Sequence, residues 1–151
     1  MKFRLLLLGL SWIIFSNNLS AQDYNEIDFS IIFGDFFHND TISLSVNDLE
    51  YIKSAVITSD FSDGVTGVSL IQDEQKFVVN LGSHKTAFEK IEINDSLKIK
   101  VIIKGQEEYT NSFQLQNGKI IVFNNSKKKN VEGKIIKSLN ALQYKQNIQF
   151  D

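Results

Sequence analysis

Two acidic stretches carry the metal and acid–base chemistry open to this 151-residue chain. The first is Asp35-Phe36-Phe37-His38-Asn39-Asp40, an imidazole flanked by two carboxylates. Such a set can ligate a metal or move a proton, because His titrates near neutrality beside fixed negative charge. The second is Asp60-Phe61-Ser62-Asp63-Gly64. An Asp-x-x-Asp-Gly loop presents hard oxygens, the donors Ca²⁺ collects in sets of about six to eight. No Glu closes a twelve-residue EF-hand loop in register, so a calcium site here has to borrow acids from a neighbouring loop. Asp60 and Asp63, joined by Asp35 and Asp40, are the candidate metal residues, and Ca²⁺ is the one cofactor the sequence suggests. The same acids also have a structural use. Asp caps backbone N–H groups two residues on, and Gly64 supplies a positive φ for a turn.

No catalytic residue emerges. Ser83 and His84 are adjacent, and neighbours on a strand point to opposite faces, which prevents them pairing as nucleophile and base. A Gly-x-Ser-x-Gly elbow is missing. A hydrolase would have to use two carboxylates about 5–9.5 Å apart, with Glu107-Glu108 as the adjacent pair. Cysteine is absent, which removes thiol nucleophiles, disulfides and Cys-ligated zinc. Arg4 is the single arginine and Trp12 the single tryptophan. Without guanidinium forks or indole platforms downstream, nucleic-acid recognition is excluded as a reading.

Residues 1–21 read as an export leader. Lys2 and Arg4 precede an apolar run from Leu5 to Phe15, and Leu19-Ser20-Ala21 ends in the small residue a signal peptidase requires. The run is too short to span a bilayer as a helix. The expected location is therefore periplasmic or extracellular, with residues 22–151 forming one domain held together by burial alone.

The elements that must position these acids are strands. Ile27, Phe29, Ile31 and Phe33 lie on one face with Asp28 and Ser30 opposite. Ile42, Leu44 and Val46 alternate with Thr41, Ser43 and Ser45, and Leu97, Ile99, Val101 and Ile103 with Lys98, Lys100 and Lys104. A two-residue period marks half-buried strands. Turn signals recur at Gly34-Asp35, Asn47-Asp48, Asp60 to Gly64, Asp73 to Gln75 and Gly105 to Glu108. Asn117-Gly118, between Phe113-Leu115 and Ile120 to Phe123, predicts a tight type I′ hairpin above all others. Lys127-Lys128-Lys129 reads as a solvated loop in preference to a contact for acidic lipid or polysaccharide. Val131 to Leu139 and Leu142 to Phe150 read as one or two further strands, with Lys137 to Lys145 a short helix in the alternative. The sum is an all-β chain of about eight to ten short strands, a two-layer antiparallel β-sandwich with immunoglobulin-like or transthyretin-like order as the candidate topologies. Charge is uneven, with acids concentrated before residue 96 and lysines after it. Interleaving of the two halves would pair them across strands, the preferred reading, and segregation would instead give a dipolar surface that orients a partner or stacks molecules head to tail.

In this general organisation the chain looks like small exported bacterial sandwich domains, although no motif transfers functional residues. The leading expectation is a non-enzymatic exported binding module that uses loops at one end or an exposed sheet edge, with another exported protein or a cell-surface glycan as partner. A calcium- or carbohydrate-binding module is the second, and a carboxylate-dependent hydrolase the third.

Overall fold

The computed structural model describes residues 27–106, 108–129 and 131–145. Residues 1–26, which include the expected leader, and residues 107, 130 and 146–151 lie outside that description. The described strands form two open sheets facing each other as a β-sandwich. In the larger sheet are β1 (Phe29–Phe33), β4 (Val68–Gln72), β5 (Phe77–Leu81), β6 (His84–Phe88), β9 (Ile120–Lys129) and β10 (Ile135–Tyr144). Their order is β10-β9-β1-β4-β5-β6. The smaller sheet holds β2 (Asp40–Val46), β3 (Leu49–Ile57), β7 (Ser96–Ile103) and β8 (Tyr109–Gln114), ordered β3-β2-β7-β8.

The alternation read from sequence is found in β2 and β7, whereas in β1 Ser30 is buried along with Phe29, Ile31 and Phe33. Ile42, Leu44 and Val46 are buried while Thr41, Ser43 and Ser45 are half-buried, and Leu97, Ile99, Val101 and Ile103 point inward from β7. Phe29, Phe33, Phe77 and Phe123 are fully buried between the layers. Phe33 stacks on Phe123 at 5.6 Å, and Tyr109 and Phe113 meet Phe123 edge-on at 5.4 and 6.2 Å. Strand β6 escaped the sequence reading. All five of its residues are exposed at a sheet edge, so no hydrophobic period betrays it.

Three details depart from the expectation. First, the sandwich is not wholly antiparallel: β1 and β9 run parallel, in register from Ser30↔Ile120 to Phe33↔Phe123. Second, Asn117-Gly118 does not close a hairpin. β8 and β9 belong to different sheets, and Leu115–Asn117 form a 3-10 turn that carries the chain between them. Leu115 packs against the core, and its N–H is taken by the Asp95 carbonyl at 2.8 Å. Packing that half-buried leucine against the core outweighs the local turn preference, which is worth little without paired flanking strands. The type I′ conformation appears instead at Asn47-Asp48, with φ of 48° and 66°, joining β2 to β3. Third, the loop expected at Lys127 to Lys129 is strand; of the two alternatives for Lys137 to Lys145, strand is the one found, as far as Tyr144. β10 pairs with β9 from Ile135↔Lys129 to Tyr144↔Ile120.

Gly118 is constrained by the crossing. Its φ of 151° with ψ of 147° lies in a region open essentially to glycine, and a Cβ there would run into the Tyr144 carbonyl. Gly118→Ala is expected to lose about 2 kcal/mol or more, read from urea denaturation. An ordinary hairpin asparagine–glycine turn would lose about half of that.

A candidate binding cleft at one end of the sandwich

Strand β1 ends where Gly34 must pass close to β9, since a Cβ at Gly34 would collide with the Asn124 side chain. The chain then turns through Asp35 and Phe36. Phe36 has a φ of 66°, a conformation unfavourable for an aromatic L-residue. It points outward, 69 % exposed, while Phe37 is buried edge-on against Phe33 at 5.7 Å. Across from this bend lies the β3–β4 loop, residues 58–67.

Hydrogen bonds fasten the two loops together. The Ser59 hydroxyl donates to the Gly34 carbonyl at 2.6 Å and accepts the Phe37 N–H at 3.0 Å. Asn39 N–H donates to the Thr58 hydroxyl at 3.0 Å, and Thr66 returns its N–H and hydroxyl to the Phe33 carbonyl at 3.1 and 2.8 Å. Strand β9 supports the bend from the other side: Asn124 Oδ1 accepts the Asp35 N–H, and Asn125 N–H donates to the Asp35 carbonyl, both at 2.9 Å. The loops are therefore preformed.

Within the second loop both expected acids cap their own turn. Asp60 Oδ1 accepts the N–H and hydroxyl of Ser62 at 2.8 Å each, and these bonds hold its carboxyl below the ordinary aspartate range. Asp63 Oδ1 accepts the Val65 N–H at 3.1 Å. Gly64, at a φ of 69°, leaves room for the Asp35 carboxylate, which a Cβ there would strike. Phe61 sits at the tip, fully exposed.

Between the loops and β9–β10 opens a cleft of about 770 Å³, lined by Asp35, His38, Asp60, Asp63, Phe36 and Phe61, with Lys127 and Lys137 on the strand side. Three of the four candidate metal residues thus share one cleft. Among the described residues, however, no three acidic or histidine side chains are grouped so that they could hold a metal ion.

Asp40, the fourth, is engaged elsewhere. It is buried at the start of β2 and accepts from Lys137 Nζ at 2.6 Å, Asn125 Nδ2 at 3.2 Å and the His38 N–H at 2.9 Å. Burial pushes its carboxyl up. The Lys137 hydrogen bond and charge, with the His38 N–H and Asn125, outweigh burial and leave it below the ordinary aspartate range. The pair joins the small sheet to the large one. Sequence reasoning missed Lys137, Asn125 and Ser59. Of these only Asn125 left a signal, the period of two: it follows Phe123 on the same face of β9 and is buried with it, a polar side chain at a position that points between the sheets.

The residues weighed for hydrolysis are not brought together. Ser83 lies in the β5–β6 turn and His84 opens the exposed edge strand β6. Glu107 lies outside the described residues, and Glu108 is held below the ordinary glutamate range by Lys100, 2.8 Å away. At the opposite end a second cleft of about 610 Å³ contains Asp28, Gln72 and Lys90. Its groups satisfy one another: Lys90 pairs with Asp28 at 2.9 Å, and the buried Gln72 amide bonds both Asp28 and the Ile91 backbone. That end is a latch for residues 89–93. Comparison with protein-family models, curated proteins and solved structures finds no match to this chain.

Proposed function

We propose that this chain is a non-catalytic binding module of an exported protein, holding its partner at the cleft between the β1–β2 and β3–β4 loops. The partner is another exported protein or a cell-surface glycan. The observation that carries this reading is the pair of outward phenylalanines, Phe36 and Phe61, on loops locked by side-chain hydrogen bonds. A soluble protein gains nothing for its own folding by exposing Phe36 in a left-handed conformation; such strain costs on the order of 1–3 kcal/mol and concentrates at functional positions. A preformed rim also lowers the ordering entropy that binding must overcome. Aromatic anchors beside carboxylates, a histidine and a lysine suit a ligand with both an apolar face and polar groups.

The strain supplies a test that separates function from structure. Phe36→Asn relieves the left-handed penalty, because asparagine tolerates that conformation, and is expected to stabilise the fold by about 0.5–1 kcal/mol. The same change, and Phe61→Ser, should weaken capture of the cognate spot on a peptide and oligosaccharide array by roughly tenfold or more. Binding that survives both substitutions in well-folded protein would sink the reading.

Calcium is tested separately. A ligand that binds only the folded state raises its stability by RT ln(1 + [L]/Kd). Because Asp60 and Asp63 each direct an oxygen into their own turn, millimolar CaCl₂ is expected to leave the thermal midpoint unchanged. A rise of several degrees, lost in Asp35→Asn, would restore the calcium reading.

A further inference from the structure

Strands β9 and β10 continue past the rest of their sheet. The last β1 partner on β9 is Phe123, and the Asp35 carbonyl takes the Asn125 N–H. From Ser126 to Lys129 only β10 runs beside β9. Four further residues extend the pair by about 13 Å before its turn. This arm is strongly basic, with five lysines and one glutamate between residues 124 and 138. Lys127, Lys128 and Lys129 make no ion pair among the described residues. The arm is also apolar where a lone hairpin should be polar: Val131 at its turn is fully exposed, and Ile135 and Ile136 are 62 % and 43 % exposed.

We propose that the β9–β10 arm docks the protein by its turn end on an anionic lipid surface, with Lys127, Lys128 and Lys129 against headgroups and Val131, Ile135 and Ile136, the last two on opposite faces of the hairpin, entering the interface. Each lysine near such a surface adds attraction that decays within a Debye length of about 8–10 Å. The arm is longer than that, so the acids of the cleft are screened from its turn. Basic charge alone would equally suit an acidic polysaccharide. The exposed valine and isoleucines decide for lipid, because a polysaccharide offers them no apolar phase, whereas a bilayer interface does. Lys127 borders the cleft, but Lys128, Lys129 and Val131 do not line it, so the proposal does not depend on the cleft's ligand.

The test is co-sedimentation with vesicles of phosphatidylcholine alone and of phosphatidylcholine containing phosphatidylglycerol. Binding is expected only to the anionic vesicles and should fall steeply with added salt. Lys128→Glu with Lys129→Glu should weaken it by tenfold or more. Val131→Asp should also weaken it severalfold while thermal midpoints stay at wild type, since all three positions are exposed. Failure to bind anionic vesicles, or equal binding to neutral ones, overturns the proposal. So does retention on a dextran sulfate column in which Val131→Asp is as strong as wild type while vesicles are ignored, for that makes the arm a polyanion contact only. Phe36→Asn should keep vesicle binding; its loss there would assign the lipid contact to the cleft instead.

Discussion

Lys137→Met is expected to destabilise the fold by about 2–4 kcal/mol, because it leaves Asp40 charged and buried with only Asn125 and one backbone N–H as partners. The figure is set below that for a fully buried pair because the Lys137 side chain is 33 % exposed. Replacing both partners with apolar residues, Asp40→Leu with Lys137→Met, should recover most of the loss, since removing both charges removes the uncompensated one. Equal destabilisation in the double variant would mean that packing, not charge, is at stake.

The pH dependence has a definite sign. The folded Asp40 carboxyl lies below its unfolded value, so its contribution is complete above about pH 4 and is lost as pH falls through the folded value. In Lys137→Met the balance reverses, because burial then raises the carboxyl and the folded variant takes up a proton first. The gap between wild type and variant should therefore be widest near neutrality and narrow on acidification. Urea midpoints compared at neutral pH and near pH 4 check this directly.

Phe123→Ala carries the largest expected loss, about 3–5 kcal/mol. Phe123 is fully buried and lies where three aromatic contacts converge, from Phe33 in its own sheet and Tyr109 and Phe113 in the other. Removing it opens a cavity that two rigid sheets cannot close. A drop in thermal midpoint on the order of 10–20 °C is expected. Phe61→Ser, the same residue type on the loop tip, should change stability by less than about 0.5 kcal/mol. The contrast between these two phenylalanines separates packing from recognition.

Much of this fold was legible in the chain because burial on one face of a strand writes a period of two. Ile42-Leu44-Val46 and Leu97-Ile99-Val101-Ile103 were read correctly for that reason. The uneven charge resolved as interleaving only in part: Lys98 on Asp48 and Lys137 on Asp40 join the two halves of the chain, whereas Lys127, Lys128 and Lys129 stay clustered on the β9–β10 arm. At the candidate site, the acids and the exposed phenylalanines were visible as turn residues. That Asp35 joins Asp60 and Asp63 from a neighbouring loop was anticipated, but the part that Lys127 and Lys137 play in lining their cleft was not, since those lysines come from strands distant in sequence.

By itself, the sequence determined a cysteine-free, all-β chain, its oily strand faces and the turns rich in Asp, Asn and Gly. Those features are local: side-chain alternation and backbone conformation follow from neighbouring residues. Tertiary structure decided the parallel β1–β9 pairing, the use of Asn117-Gly118 as a passage between sheets, and the union of Asp40 with Lys137. Each depends on contacts between distant segments, where the packing of Leu115 or the pairing of two charges overrides a local preference worth about 1 kcal/mol.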